Sequence, residues 1–307
     1  MRKIQSVDLH EVVARLVGLD GVIPPLVVGC SGGPDSLALL ALTGASGLEP
    51  VAVHVYHGSR PESGAETEHV AAQAARLEVP FRAERVSVPV GPNYEARARA
   101  ARYLALERAR VALGATAVVV GHTADDQAET VLLNVLRGSA AAGLGAMAVR
   151  RDHIIRPLLE LRRSETEALC ARLGIEPVRD PSNADLAMRR NWIRHEALPR
   201  LSEGAGRDLV PVLARQAAIL RDESEYLDEL ATEAWPGDGE RSARLLAAMP
   251  PVLARRAVRE WLGPPPPSFD EVERVLAVAR SEVRATQVAG GRRVWRGGGC
   301  LIVERSQ

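Results

Sequence analysis

Two kinds of segment alternate along the first half of the chain. Short valine-rich runs such as Val51–Val55 and Ala117–Val120 are typical of strands that are covered on both faces. Each run is followed by a longer segment with a helical pattern of apolar positions. The predicted strands are Leu26–Cys30, Val51–Tyr56, Phe81–Val88 and Ala117–Gly121, and the predicted helices begin at Asp35, Ser63, Asn93 and Ala124. This order predicts an α/β fold, with a Rossmann-like parallel sheet and helices on both faces.

The second half of the chain has a mainly helical pattern. A helical stretch from Arg162 to about Leu201 is broken at Pro181, and heptad-like apolar positions predict a long helix over Arg207–Trp235. Four consecutive prolines, 264–267, form a stiff spacer. Beyond the spacer we expect a helix over Ser268–Arg280, a hairpin of 286–289 and 292–295, and a strand over 300–304. The pattern predicts a larger domain over residues 1–205 and a smaller one over 206–307.

The turn after the first predicted strand has the composition of an anion-binding loop. It reads Ser31-Gly32-Gly33-Pro34-Asp35-Ser36. The two glycines can turn backbone N–H groups toward one anion, and the two serines add hydroxyl donors. The proline suits the first turn of a helix, so the positive end of that helix points at the same place. We therefore expect this loop to bind phosphate.

A second polar cluster follows the fourth predicted strand. It reads Gly121-His122-Thr123-Ala124-Asp125-Asp126-Gln127-Ala128-Glu129-Thr130. A helix N-terminus favours carboxylates, but three of them beside bound phosphate imply a cation such as Mg²⁺. Asp125 and Glu129 are four apart and share a helix face, whereas Asp126 lies on the neighbouring face. Because parallel strands end at one edge of a sheet, His54 and His57 are expected at the same site.

Composition narrows the class of nucleotide site. The only lysine is Lys3, so 38 of the 39 basic residues are arginine and a lysine-dependent Walker loop is excluded. Arginine favours bidentate recognition of phosphate. The formal net charge is zero, so a nucleic-acid partner requires clustered basic residues.

The cysteines and the first residues predict a cytoplasmic protein without metal clusters. Cys30, Cys170 and Cys300 lie far apart, so neither a disulfide framework nor a zinc or iron–sulfur site is indicated. No apolar run reaches membrane-spanning length, and the first residues do not resemble a signal sequence. We expect a cytoplasmic protein with no membrane contact and no implied protein partner, and a homodimer stays open.

Several further motifs occur in a fixed order. They are S-G-G-x-D-S (31–36), H-x-x-H-G-x-R (54–60), N-x-E-A-x-A-R (93–99), G-H-x-A-D-D-Q-x-E-T (121–130), R-G-x-x-x-x-G-L-x-x-M (137–147), R-P-L-L (156–159), D-P-S-N (180–183) and N-x-I-R-H (191–195). Their order and approximate spacing resemble those of the tRNA(Ile)-lysidine synthetase family of PP-loop ATP pyrophosphatases, densely over residues 26–200. The resemblance implies an adenine nucleotide α-hydrolase-like fold for residues 1–205 and a tRNA contact within 206–307.

The resemblance also implies a reaction. Members of the family use ATP to attach L-lysine to carbon 2 of the wobble cytidine in the CAU anticodon of an isoleucine tRNA. An adenylated cytidine is the intermediate, and the products are lysidine, AMP and pyrophosphate. The change switches codon reading from AUG to AUA. ATP and Mg²⁺ are therefore the expected co-substrate and cofactor, and this tRNA and L-lysine are the expected partners.

Matching the motifs to this chain assigns roles to its residues. ATP would contact the loop 31–36 with His54, His57 and Gly121, and Mg²⁺ would bind Asp35 and Asp125. The lysine cation would dock on Asp126 or Glu129. The expected catalytic residues are Asp35, His122, Asp125, Asp126 and Glu129. The residues expected to contact tRNA or the adenylate phosphate are Arg97, Arg99, Arg137, Asn191 and Arg194.

The chain departs from the family pattern at three positions, and two other functions stay open. Tyr56 replaces an acidic residue, Ser59 a leucine, and Trp192 a basic residue. One alternative is another PP-loop enzyme, either a tRNA thiolation enzyme or an amide-forming synthetase, although thiolation usually needs paired cysteines. The other is a non-catalytic nucleotide- or RNA-binding relative, against which the complete cluster of residues 122–129 argues.

Overall fold

The computed structural model describes residues 9–56, 63–89, 91, 93–178, 185–236 and 241–305. The chain divides into two compact units, Met1–Ala218 and Ile219–Gln307. The division falls within a long helix, α10 (Val210–Ala234), whereas the sequence pattern placed the domain boundary before this helix, at 205. No helix in the described ranges is long and apolar enough to cross a membrane.

The first unit is built on a six-stranded sheet. Its strands are β1 (Leu26–Gly29), β2 (Pro50–Tyr56), β3 (Phe81–Arg85), β4 (Val118–Val120), β5 (Arg150–Arg151) and β6 (Ile154–Ile155), in the order β3-β2-β1-β4-β6-β5. All neighbours pair in parallel except β5 with β6. The predicted parallel α/β fold is therefore confirmed. Strands β5 and β6 were not predicted, because two residues are too few to show a pattern.

Helices of the first unit cover both faces of this sheet. The helices described in this unit are α1 (His10–Val13), α2 (Pro34–Ala45), α3 (Ser63–Arg76), α4 (Tyr94–Ala112), α5 (Ala124–Leu136), α6 (Ala141–Leu144), α7 (Arg163–Leu173), α8 (Arg189–Trp192) and α9 (Leu198–Gly204), with a π-helical segment over Ile193–Ala197. On β1, Leu26 and Val28 pack into the core that contains α2 and α7, and Val27 packs into the core that contains α4. Alternate residues of one strand thus face opposite cores, which explains its continuous apolar run.

The described residues of the second unit form three helices and a small antiparallel sheet, in addition to part of α10. The elements are α11 (Ala243–Ala248), α12 (Pro251–Leu262), α13 (Phe269–Ala279), β7 (Ala285–Val288), β8 (Arg292–Gly297) and β9 (Cys300–Arg305). The sheet order β7-β8-β9 includes the predicted hairpin. Its inner face, with Val288, Val294 and Leu301, packs in one core with Leu246, Val258 and Leu276 from the three helices.

The strand order determines where a ligand can bind. The chain runs from β1 outward through β2 and β3, then returns to place β4 on the other side of β1, where Gly29 is in register with Val120. In sheets of this kind, ligands bind beyond the carboxyl ends of the strands, in a crevice at the point where the strand order reverses. Both polar segments found in the sequence, 31–36 and 121–130, begin at this crevice.

Candidate active site

The loop after β1 is held in shape by its own serines. The hydroxyl of Ser36 accepts a hydrogen bond from the amide of Ser31 at 3.1 Å and donates one to the carbonyl of Gly33 at 3.0 Å. Gly32 has a φ of +85°, and a Cβ there would lie 2.9 Å from a methyl group of Val70. Glycine is therefore required at residue 32, both by backbone angle and by space.

The loop after β4 packs directly on the loop after β1. A Cβ on Gly121 would lie 2.9 Å from the backbone carbonyl atoms of Asp35. Gly121 therefore allows the segment that leads into α5 to approach the first turn of α2. This contact brings the two polar segments together, as the sequence predicted.

Asp35, on the first turn of α2, has its carboxylate turned toward α7. It accepts a hydrogen bond from the hydroxyl of Thr166 and lies 3.5 Å from Nε of Arg163. Burial raises the pKa of Asp35 to about 6, although Thr166 and Arg163 both favour its ionised form. Negative charge at residue 35 is therefore costly unless a cation accompanies it.

Asp126 and Glu129, both on α5, share three arginines. Arg163 donates to Asp126 at 3.0 Å and to Glu129 at 3.1 Å. Arg190 contacts the same two carboxylates at 2.9 and 2.7 Å. Arg194 contacts Glu129 at 2.6 Å and Asp126 at 3.6 Å. We call these five residues the carboxylate–arginine cluster.

The cluster is buried and its charges depend on one another. The side chain of Glu129 is 1% exposed and that of Asp126 is 10% exposed. Burial opposes ionisation of Asp126, but Arg163 and Arg190 outweigh it and hold the pKa of that carboxyl below its usual value. Loss of one partner would therefore leave a charge uncompensated in a low-dielectric site.

Asp125 points elsewhere. Its carboxylate accepts bonds from Arg162 at 3.1 and 3.2 Å and from the backbone amide of Arg163 at 2.8 Å. Burial opposes its ionisation, but these donors lower the pKa of Asp125 below its usual value. Asp125 and Glu129, four residues apart on α5, nevertheless contact different side chains. Asp126 and Glu129, three residues apart, share partners instead, because Asp125 is drawn to the first turn of α7.

The donor set for Mg²⁺ is smaller than the sequence suggested. Among the described residues, no group of three or more carboxylate, histidine or cysteine side chains is arranged to hold a metal ion. Both oxygens of Asp125 already accept hydrogen bonds from α7. Mg²⁺ commonly binds one or two carboxylates together with substrate phosphates. Asp35, beside the loop, fits such a partial site, and Asp125 fits it less well.

Two histidines lie at the crevice in neutral form. Nδ1 of His54 donates to the carbonyl of Cys30 at 2.8 Å, and burial lowers the pKa of His54. Burial likewise lowers the pKa of His122 to about 3. Nε2 of His54 and Nδ1 of His122 are buried and find no hydrogen-bond partner in the described part of the chain. His57 lies outside the described residues.

Comparisons with known proteins agree with this geometry. The model of the PP-loop domain family matches residues 14–201. The tRNA(Ile)-lysidine synthase of Salinispora tropica is 40% identical over 302 residues, which cover 90% of each chain. The chain belongs to the tRNA(Ile)-lysidine synthase family. The same enzyme of Thermobifida fusca is 42% identical over 244 residues, 76% of this chain and 75% of that relative.

A solved structure extends the comparison to the fold. The U34-tRNA thiolase NcsA from Methanococcus maripaludis superposes with a TM-score of 0.57 at 17% identity, over 69% of this chain and 76% of that chain. Similarity at this level shows the fold alone. The relatives thus confirm the resemblance to tRNA(Ile)-lysidine synthases that the motifs indicated, and the solved structure shares the fold.

Tyr56, where the tRNA(Ile)-lysidine synthase family pattern has an acidic residue, packs on His54. The two rings are stacked, 6.3 Å apart at an interplanar angle of 7°. Tyr56 is half-buried at the end of β2. Tyr56 therefore stacks on a histidine at the crevice, but it supplies no carboxylate there.

The residues that the lysidine synthase motifs assigned to tRNA are dispersed. Arg97 donates to the carbonyl of Pro89 at 2.9 Å, and buried Asn191 donates to that of Asp185 at 3.0 Å. Both contacts fix loops. Arg99 lies 5.1 Å over the ring of Tyr103. Arg137 is exposed just after α5, and Arg194 alone of the five belongs to the carboxylate–arginine cluster.

Sequence reasoning missed Arg163 and Thr166, and it grouped Arg190 with neighbouring arginines as a donor to RNA phosphate. One signal was available. Arg162 and Arg163 stand at the start of a predicted helix, where the helix dipole disfavours cations. Such a pair indicates carboxylates nearby in space, and here the partners are Asp125, Asp126 and Glu129. Thr166 carried no comparable signal.

Proposed function

We propose that this protein uses ATP to attach L-lysine to carbon 2 of the wobble cytidine in the CAU-anticodon isoleucine tRNA. The observation that supports it most is the junction at the crevice. Arg163 joins Asp35 of the phosphate loop to Asp126 and Glu129 of α5. A pyrophosphate-binding end and an ammonium-binding end are thus adjacent, as a two-step ligation requires. The modified tRNA reads AUA instead of AUG, and the reaction takes place in the cytoplasm with tRNA.

In the first step, O2 of the cytosine attacks the α-phosphorus of ATP. The bond from that phosphorus to the bridging oxygen breaks, and pyrophosphate leaves. Backbone amides of the loop 31–36 and the N-terminus of α2 hold the charge that develops on the leaving group. Bound Mg²⁺, held by Asp35 and phosphate oxygens, would neutralise part of that charge.

In the second step, the ε-amine of lysine attacks C2 of the adenylated cytidine, and AMP leaves with the former O2. The amine must lose a proton to become nucleophilic. Asp126 and Glu129 orient the lysine through its ammonium form, and Glu129 is the proposed acceptor of the proton. Because Glu129 already contacts three guanidiniums, the incoming ammonium shares or replaces one of them. His122 is a weak base at its lowered pKa, so it orients the substrate as a neutral ring.

The second unit is proposed to contact the tRNA. A cavity of about 500 Å³ on this unit is lined by Arg284, Arg293, Trp295, Arg296 and Glu304. Arg284 and Arg293 are exposed, and Trp295 is half-buried. Arginines suit phosphates, and an indole beside them suits a base or sugar. In the first unit, exposed Arg137 and Arg99 are proposed to face the anticodon stem-loop.

Release of AMP tests the function directly. Purified protein is incubated with ATP, Mg²⁺ and the isoleucine tRNA transcript, with and without lysine, and [α-³²P]AMP is resolved by chromatography. We expect lysine-dependent AMP release and a lysine label on that tRNA. The methionine tRNA with the same anticodon is the matched control and should stay unlabelled.

Other outcomes would contradict the proposal in distinct ways. Pyrophosphate exchange without any tRNA would indicate an amide-forming synthetase for a small molecule. Absence of exchange and of AMP release with every tRNA, despite ATP binding, would indicate a binding protein. Labelling that requires a sulfur donor in place of lysine would indicate a thiolation enzyme.

A further inference from the structure

One guanidinium joins carboxylates from two helices at the site. Nη1 of Arg163 lies 3.1 Å from Glu129, Nη2 lies 3.0 Å from Asp126, and Nε lies 3.5 Å from Asp35. Each of the three nitrogen positions therefore faces a different carboxylate. Arg163 is the first residue of α7, whose axis points its positive end at the same place.

The other two arginines of the cluster do not make this connection. Within the described residues, the contacts of Arg190 and Arg194 with carboxylates are to Asp126 and Glu129, both on α5. Arg163 also reaches Asp35 on α2. Planar geometry matters here, because a lysine at residue 163 could place one ammonium among the carboxylates but could not fix three directions at once.

We propose that Arg163 is a positioning residue that fixes Asp35 relative to Asp126 and Glu129, and so serves both the adenylation of the cytidine and the attack by lysine. The inference rests on the proposed function, since it assigns Asp35 to the first step and the α5 carboxylates to the second. Displacement of a reacting group by about 1 Å can cost about a hundredfold in rate. Loss of the shared guanidinium should therefore slow both steps.

Thr166 offers a way to separate the steps. It lies one turn after Arg163 on α7, and its hydroxyl donates to Asp35 and to the carbonyl of Arg163. No contact of Thr166 with Asp126 or Glu129 occurs in the described structure. Of the three carboxylates that Arg163 contacts, Thr166→Val should therefore disturb Asp35 alone.

Arg76, the last residue of α3, provides a matched control because it contacts the same helix, α7. Its guanidinium donates to the carbonyl groups of Leu173 and Gly174, at the opposite end of α7 from Arg163. Arg76→Gln thus removes one arginine and two hydrogen bonds to α7 without touching a carboxylate of the site. Any loss of activity that follows only from a loosened α7 should appear in this variant as well.

The experiment measures the two steps separately in single turnovers. Formation of adenylated tRNA is followed without lysine, and its discharge is followed after lysine is added at increasing concentration. We expect Arg163→Gln to slow adenylation and to raise the lysine concentration for half-maximal discharge, each by about tenfold or more. Thr166→Val should slow adenylation only, and Arg163→Lys should restore part of the lysine affinity but little of the adenylation rate.

Thermal unfolding of each variant is recorded in parallel. The inference is overturned if Arg163→Gln leaves both steps within about twofold of the wild-type protein, or if Arg76→Gln slows both steps as much at an equal loss of Tm. An inactive wild-type protein would instead contradict the proposed function. In that case the inference about the two steps falls with it.

Discussion

At the scale of one residue, the charge on Asp35 lowers the stability of the folded protein. Its carboxylate is buried between α2 and α7, and its pKa is raised from 3.8 to about 6. A difference of this size corresponds to roughly 3 kcal/mol. The unfolded chain ionises Asp35 near pH 4 and the folded chain only near pH 6, so the cost of the buried charge grows between these values and is complete above them.

Replacement of Asp35 by asparagine should therefore raise stability while removing activity. In the absence of ATP and Mg²⁺, Asp35→Asn should raise the free energy of unfolding by about 1–3 kcal/mol at pH 8, reduced by the contribution of the hydrogen bonds that the substitution removes. The increase should be smaller at pH 5. AMP release should disappear, whereas tRNA binding should stay nearly unchanged. Thermal unfolding at both pH values and a filter-binding measurement check these outcomes.

Asp152→Asn is the matched control for Asp35→Asn. Asp152 is exposed in the turn between β5 and β6, so its change in Tm should be small and equal at both pH values. If Asp35→Asn instead lowers the Tm by the same amount at pH 8 and at pH 5, the buried charge of Asp35 does not lower stability.

At the scale of elements, the carboxylate–arginine cluster connects α5 to α8 and to the π-helical segment that follows α8. Arg190 belongs to α8 and Arg194 to the π-helical segment Ile193–Ala197, and both contact Glu129. Such contacts compensate buried charge and also fix the segment to α5. Removing the central carboxylate should therefore release more than one bond.

Glu129→Gln should destabilise the first unit by roughly 3 kcal/mol or more and increase amide exchange in residues 189–197. Glu196→Gln is its control, because the ion pair of Glu196 with Arg200 is exposed and is worth less than about 1 kcal/mol. Denaturant unfolding and hydrogen exchange by mass spectrometry measure both effects. Equal ΔΔG values for the two variants would show that the buried cluster contributes no more than a surface pair.

At the scale of the whole molecule, two units with separate cores share one chain. The first carries the crevice, and the second carries a basic cavity on an antiparallel sheet. A formal net charge of zero means that attraction for RNA depends on local clusters such as this one.

Arg284→Gln and Arg293→Gln should each weaken binding of the isoleucine tRNA and lower the slope of log Kd against log salt by about 1. Pyrophosphate release at saturating tRNA should stay close to that of the wild-type protein. Arg244→Gln is the control, because Arg244 is an exposed residue of α11 outside the cavity. If all three variants bind tRNA with equal affinity, the cavity is not the contact.

Local patterns were sufficient for much of the fold and part of the site. The four long strands, their helices and the loop 31–36 follow from apolar periodicity and from glycine, serine and proline chemistry within a few residues. Strand ends were less certain, since β3 ends at Arg85 and not at Val88. The two-residue strands β5 and β6 gave no periodic signal at all.

The sequence by itself determined that a phosphate loop and an acidic helix start meet at one edge of a parallel sheet, because those features depend on neighbours along the chain. Only the tertiary structure decided which charges pair. Arg163 lies 37 residues from Asp126 and 128 from Asp35, and its position depends on how α7 packs against α2. Folding in this way separated Asp125 from Asp126 and Glu129, and it placed Arg194 on a carboxylate.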